Sequence, residues 1–195
     1  MYNKDTIFTY TEDPKEIKAG RVLLSEPLNR DLFFGRAAIL IVEHNAEGTI
    51  GFVLNKPLIF PQKGAMSGFP MMPGKVFLGG PVQLDTLHFI HNIGNEITDS
   101  VKISKNVYWS GNFEVMQILF DAGKINHSNV RFFIGYSGWT PKQLANEIKR
   151  KMWVITEMTD DEIFSSNENS WYKAVENLGN DFKPWLNVPD MPFLN

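Results

Sequence analysis

Arg36-Ala37-Ala38-Ile39-Leu40-Ile41-Val42-Glu43-His44-Asn45-Ala46-Glu47-Gly48-Thr49-Ile50-Gly51-Phe52-Val53-Leu54-Asn55-Lys56-Pro57 is the stretch that decides how this chain folds. It holds two short apolar runs, Ala37–Glu43 and Thr49–Leu54, each bounded by polar or turn-forming residues. Runs of that length read as strands buried on both faces. Asn45–Gly48 forms the loop between them, with Gly48 available for positive φ, so the segment is a hairpin. His44 closes the first strand and Asn55 the second. Antiparallel pairing sets these two at opposite ends of the hairpin, so they do not make one compact site. For both, turn chemistry is the plain role, since such side chains commonly bond local backbone.

Working outward, Arg21–Ser25 reads as a strand stopped by Glu26-Pro27, and Asn29-Arg30-Asp31 opens a turn carrying Phe33 and Phe34. Residues 58–74 hold Pro61, Gly64, Gly68, Pro70, Pro73 and Gly74 around Met66, Met71 and Met72, without periodicity. This is a long loop, of the kind that serves either as a lid or as an idle excursion. Lys75–Leu78, Thr86–His91 and Val130–Tyr136 read as strands, and Val101–Trp109 adds weaker β signals. Asn112 caps a helix through Ala122, with Phe113, Met116 and Phe120 at i, i+3, i+7 and Gly123 as its stop. A second helix runs from Thr140-Pro141 to about Lys151, with a Thr140/Gln143 capping box, Pro141 at its first position and Leu144, Ile148 and Met152 on one face. On that helix Glu147 is placed to pair with Arg150. Thr159-x-x-Glu162 opens a short helix, and another lies near Ser170–Leu178, ending at Gly179. The first 18 or so residues read as a loose or docking arm, and the tail from Pro184 through Pro189 and Pro192 as extended. Trp171, Tyr172 and Trp185 read as an exposed surface suited to a homotypic contact. Strands come early and helices late, without βαβ alternation. The expectation is a single α+β domain over residues 1–195, with a mixed or mainly antiparallel sheet.

Composition narrows function by exclusion. The chain has 195 residues, a net charge of −3 and 43% hydrophobic residues, which is ample for a core and gives no basic footprint for nucleic acid. It has no cysteine, which removes disulfides, thiol nucleophiles and thiolate metal sites. No leader-like apolar run follows Met1, and no segment reaches the ~20 apolar residues of a membrane span. The expectation is a cytoplasmic protein that does not engage membranes.

No standard catalytic motif occurs. Gly135-Tyr136-Ser137-Gly138-Trp139 has the strand-to-helix context of a nucleophile elbow, but the second Gly arrives one residue early. The plain reading is a tight turn with Trp139 plugging the core. His88-x-x-His91 on a strand points its two rings to opposite faces, so no metal is expected. Gly79-Gly80-Pro81 offers backbone N–H groups in the manner of an anion loop, yet more often such a run is a sharp turn. No nucleotide-binding pattern is present, and no cofactor is expected.

Three blocks together resemble the YqgE/AlgH family of bacterial proteins. They are Glu43-His44 through Gly51 to Asn55-Lys56-Pro57; Leu78-Gly79-Gly80-Pro81-Val82 followed by Leu87-His88; and Phe133 to Trp139 followed by Gln143-Leu144, Glu147-Ile148 and Trp153. The ending Pro192-Phe193-Leu194-Asn195 is similar too. The chain departs from that pattern at Lys56, where the family shows Arg, and at Lys142, where it often shows Gly. The resemblance implies a bent sheet forming a partial barrel flanked by helices. It implies no established activity, although some members carry the label of transcriptional regulator.

Glycine, aromatic and amide residues gather at strand ends without a convergent acid, base or nucleophile. The leading expectation is therefore a non-catalytic regulatory or binding protein, with Asn55, Gly79, Gly80, Pro81 and Trp139 as binding residues for a protein or small-molecule partner. The alternative is a hydrolase using Ser137 or His44. Direct control through DNA is disfavoured by the acidic pI and the absence of a helix-turn-helix signature.

Overall fold

The computed structural model describes residues 16–58 and 75–189. The strands are β1 (Val22–Ser25), β2 (Ala38–Asn45), β3 (Gly48–Val53), β4 (Val76–Leu78), β5 (Val82–His91), β6 (Val101–Lys102), β7 (Tyr108–Trp109), β8 (Val130–Trp139) and β9 (Trp153–Thr156). The helices are α1 (Phe113–Asp121), α2 (Gln143–Lys149), α3 (Asp160–Phe164), α4 (Ser170–Asn177) and α5 (Lys183–Leu186). The nine strands make one sheet in the order β6-β7-β5-β8-β3-β2-β1-β9, with β4 added on β8. All pairings are antiparallel except β4 with β8. The sheet is bent but open: β6 and β9 end it and do not pair with each other.

β8 joins the two halves. One edge pairs with β5 from Val130 to Tyr136, while the other takes β4 at Phe132–Ile134 and then β3 at Ser137–Trp139. The joint is Gly135, at φ 65°, where a Cβ would lie 2.7 Å from the Gly80 carbonyl oxygen and 2.8 Å from that of Val82. Only glycine meets both demands cheaply. The expected turn at Gly135–Trp139 is therefore strand: the glycines that read as turn residues are places where backbones approach closely.

Side-chain alternation divides the interior. Val22, Leu24, Leu40, Phe52, Ile90 and Phe133 share one inner cluster with Trp171, Val175 and Trp185 of α4 and α5. Leu23, Ile39, Ile41 and Val53 point the other way, onto Leu144 and Ile148 of α2. Phe89, Phe132 and Ile134 meet Met116 of α1. β2 is thus buried on both faces, as its unbroken apolar run requires. The hairpin turn is tighter than expected, since Asn45 already pairs with Gly48.

Local chemistry sets the helix starts. Asn112 accepts from the Val115 amide and Thr159 forms a full capping box with Glu162, as anticipated. At α2 only half of the expected box exists. Gln143 reaches back to the Thr140 amide (3.0 Å), but the N-cap is Lys142 in the left-handed region at φ 66°, and Pro141 lies outside the helix. Met152 lies past the end of α2 and is 38% exposed, so it does not extend the Leu144–Ile148 face. The expected extended tail is helical over Lys183–Leu186, where Pro184 sits in the first turn, which its missing N–H tolerates. Trp171 and Trp185 are fully buried and stacked 6.2 Å apart, which corrects their reading as an exposed surface. Of the expected N-terminal arm, Ile17 is buried; residues 1–15, the 59–74 part of the long loop and 190–195 lie outside the described residues.

The inner cluster also holds one charge. Arg131, 3% exposed, donates from Nη1 to the carbonyls of Ile163 (2.8 Å), Phe164 (3.1 Å) and Ser166 (3.0 Å), and from Nη2 to that of Leu54 (2.7 Å). Its guanidinium carbon lies 3.9 Å from the centre of the Phe77 ring. Arg131→Met should destabilise the protein by about 3–5 kcal/mol in urea unfolding, because four interior carbonyls lose the guanidinium donor that ties them together. Arg131→Lys should recover only part of this, lacking the fork that spans both elements. Lys142→Gly, by contrast, should stabilise by up to about 1 kcal/mol, relieving a left-handed lysine whose side chain is exposed.

Candidate functional site

The turn after β4 crosses the backbone of β8. Gly79 donates its amide to the Ile134 carbonyl (2.8 Å), and its own carbonyl accepts from the Val53 amide (2.9 Å) and the Ser137 hydroxyl (3.0 Å). The Gly79 N–H is therefore committed to the fold rather than offered to an anion. At Gly80 a Cβ would fall 2.3 Å from the Tyr136 carbonyl, so neither glycine tolerates a side chain. Val82 pairs with Tyr136, and β5 then bulges before pairing resumes at Leu87 with Ile134. Within the bulge Gln83 takes φ 50° and its carbonyl accepts from the Thr86 hydroxyl (2.7 Å). The result is an exposed run of Pro81, Gln83, Leu84 and Asp85 around half-buried Val82, with Leu84 47% exposed. Bulges commonly re-aim side chains in this way.

Asn55 lies beneath this turn. Its Oδ1 accepts from the Ala38 amide (2.9 Å) and its Nδ2 donates to the Arg36 carbonyl (2.8 Å), so it fastens the start of β2 rather than its own local backbone. Next to it, the Lys56 carbonyl accepts from the Leu78 amide (2.8 Å), which joins the end of the hairpin to β4. Lys56 Nζ donates to the Gly35 carbonyl (2.8 Å). Burial, and secondarily the charge of Arg36, lowers its pKa, while Asp31 opposes the shift. The fold thus brings Asn55, Gly79, Gly80 and Pro81 together, but of these Pro81 alone is exposed. Trp139 is not with them. It packs on the other face, 6% exposed, beside Phe34 and Trp153. There Glu147 accepts from the indole N–H of both Trp139 and Trp153 (2.8 Å each) and from Gln143 (2.9 Å), in place of the expected pairing with Arg150.

Ser137 is fully buried within β8, and its hydroxyl is held by Gly79. His44, on β2, pairs with Thr49 of β3 and stands two strands from β8, about 10 Å away by strand spacing, with its Nδ1 on the Thr49 hydroxyl (2.7 Å). His88 is half-buried with its pKa lowered by burial, its Nε2 3.0 Å from the Thr86 hydroxyl. His91 is fully buried, its Nε2 2.8 Å from the Ser100 hydroxyl and its ring stacked on Tyr108. Among the described residues no group of three or more His, Asp or Glu side chains could hold a metal ion. The group that sequence reasoning missed is Arg131, whose signal was a lone charge inside the apolar run Val130–Tyr136.

Fold and site together define the class: a one-sheet α+β protein whose buried polar side chains brace its own backbone. The chain belongs to the AlgH-like family, whose profile matches residues 22–183. It is 38% identical to a UPF0301 protein of Parabacteroides distasonis, with both chains covered in full. It is 37% identical to another from Chlorobaculum parvum, over 92% of this chain and 96% of that one. Two solved structures share the fold. A crystal structure of a Corynebacterium diphtheriae protein superposes with a TM-score of 0.71 at 18% identity, covering 91% of this chain and 94% of that one. The solution structure of the AlgH protein from Pseudomonas aeruginosa gives 0.66 at 22% identity, covering 88% and 94%. No helix among the described residues is long and apolar enough to cross a membrane.

Burial pushes the His91 pKa down from 6.5 to about 4, with its bond to the Ser110 carbonyl opposing. Because folding lowers this pKa, the stability contributed by the neutral ring is complete above about pH 6.5 and is lost as the pH falls toward 4. Between pH 7.5 and 4.5 the native protein should lose about 2–3 kcal/mol more than His91→Gln, read from paired urea titrations.

Proposed function

We propose that this protein is a non-catalytic regulatory binding protein of the cytoplasm, which meets a protein or small-molecule partner at the Gly79–Val82 turn and the bulge behind it. One observation carries the reading. Ser137, Asn55, Glu147, His91 and Arg131 are all bonded within the fold, while Pro81, Gln83, Leu84 and Asp85 stand exposed on a backbone anchored at both ends. In this reading Asn55, Gly79 and Gly80 hold the turn from below. Trp139 fixes the end of the strand that the turn crosses. The acidic balance of the chain supports a partner other than duplex DNA.

The hydrolase reading requires a base for Ser137. Its hydroxyl instead bonds a carbonyl, and His44 stands two strands away. These observations favour binding over turnover.

Two measurements test the choice. A fluorophosphonate probe should leave the native protein unlabelled, and a hydrolase substrate panel should give no turnover that Ser137→Ala or His44→Ala abolishes. Leu84→Arg, at an exposed position, should leave Tm within about 1–2 °C of the native value, as for most surface changes, yet reduce capture of the native partner from cell extract. Turnover lost on either alanine variant, or capture indifferent to Leu84→Arg, overturns the reading.

A further inference from the structure

α1 is apolar around more of its circumference than the fold uses. Phe113, Met116 and Phe120 face the sheet: Met116 is fully buried and the Phe113 ring lies 6.1 Å from that of Phe89. A surface helix normally turns polar opposite such a stripe. Here the apolar arc continues through Leu119 and Val115, both half-buried, to Ala122 and Ile118, which are exposed. At 100° per residue Ile118 points almost directly away from the sheet, and it is 66% exposed. Glu114, Gln117 and Asp121 are confined to one flank, with Glu114 and Asp121 at i−4 and i+3 of Ile118. Exposed Glu96 and Asp99 precede the helix, and the Thr98 carbonyl between them accepts from the Asn112 amide at its N-cap (2.8 Å). Near its C-terminal end stand Lys124 and His127, whose ring packs on Phe120.

From this arrangement we infer that the outer face of α1 is a docking surface for a basic amphipathic helix of another protein. That helix would lay its apolar residues over Val115, Ile118, Leu119 and Ala122 and set Lys or Arg beside Glu114 and Asp121. Charge selects this occupant. A second copy packed antiparallel would bring acidic flank against acidic flank, one packed parallel would leave both flanks without a cation, and an anionic membrane surface would be repelled. The surface is built from α1 and uses none of the bulge residues 83–85, so the inference does not rest on the binding reading above and is tested apart from it.

The test uses the full chain and a fluorescent 18-residue amphipathic peptide with leucine on one face and lysine on the other, read by anisotropy against the same peptide with glutamate for lysine. Ile118 and the two acids are exposed, so each variant should keep the native fold, which circular dichroism checks. The lysine peptide should bind at least tenfold more tightly than the glutamate peptide. Binding should weaken at least tenfold in Ile118→Glu, and in Glu114→Lys/Asp121→Lys the preference should move toward the glutamate peptide. It should be unchanged in Leu84→Arg. Equal binding of both peptides, indifference to Ile118→Glu, or loss in Leu84→Arg overturns the inference. So does a dimer in sedimentation that Ile118→Glu dissolves, or flotation with anionic vesicles.

Discussion

The guanidinium of Arg131 is the constraint around which the interior is arranged. It extends from β8 into the inner cluster and joins the end of β3, through Leu54, to the C-terminal end of α3, through Ile163 and Phe164. Those helical carbonyls carry the negative end of the α3 dipole, which the cation complements. No carboxylate among the described residues forms an ion pair with it. Burial lowers its pKa to about 9, which still leaves it charged at neutral pH. Carbonyl oxygens and the Phe77 face therefore take the part usually played by a counter-ion. A neutral residue of similar volume would fill the space but could not satisfy four acceptors.

Glu147 repeats that logic with the opposite sign on the other side of the sheet. Its carboxylate is enclosed by two indole N–H groups and one amide from three neighbouring segments, β8, β9 and α2 itself. Trp139 and Trp153 are thereby held edge to face, 5.8 Å apart, with Phe34 against both. The polar interior is thus built from two hubs that each gather elements distant in sequence. Groups employed this way are poor candidates for proton transfer, because moving a proton at either hub would loosen several elements at once.

How much of this was legible in the sequence depends on the range of the interaction concerned. The β2–β3 hairpin was readable because strands buried on both faces must be continuously apolar, and Ala38–Val42 is. The caps at Asn112 and Thr159 were readable because their bonds span three residues. The glycines of β8 misled, since glycine marks turns and close backbone approaches alike and only the crossing at Gly79-Gly80 tells them apart. Prolines misled at Lys183–Leu186 because they are tolerated at a helix start as well as in extended chain. The partners of Asn55, 17 and 19 residues away, and of Arg131, up to 77 residues away, have no local signal at all. Of the candidate residues, Asn55, Gly79, Gly80 and Pro81 lie near one another in the fold, whereas Trp139, grouped with them because it follows Gly138, packs on the other face.

The β4–β5 turn presents side chains to solvent, not free backbone groups. A glycine-rich turn usually invites a backbone reading, in which free N–H groups cradle an anion without regard to side chains. At Gly79 both backbone groups are consumed by Ile134 and Val53, and the crossing over Tyr136 fixes Gly80 in place. The glycines serve approach rather than binding. The side chains left exposed here are Gln83, Leu84 and Asp85, on a bulge held by the Thr86 hydroxyl and by pairing on both sides. A surface read through side chains on an anchored backbone discriminates by shape and hydrogen-bond pattern. Such a surface suits the partner binding proposed above better than a backbone anion cradle would.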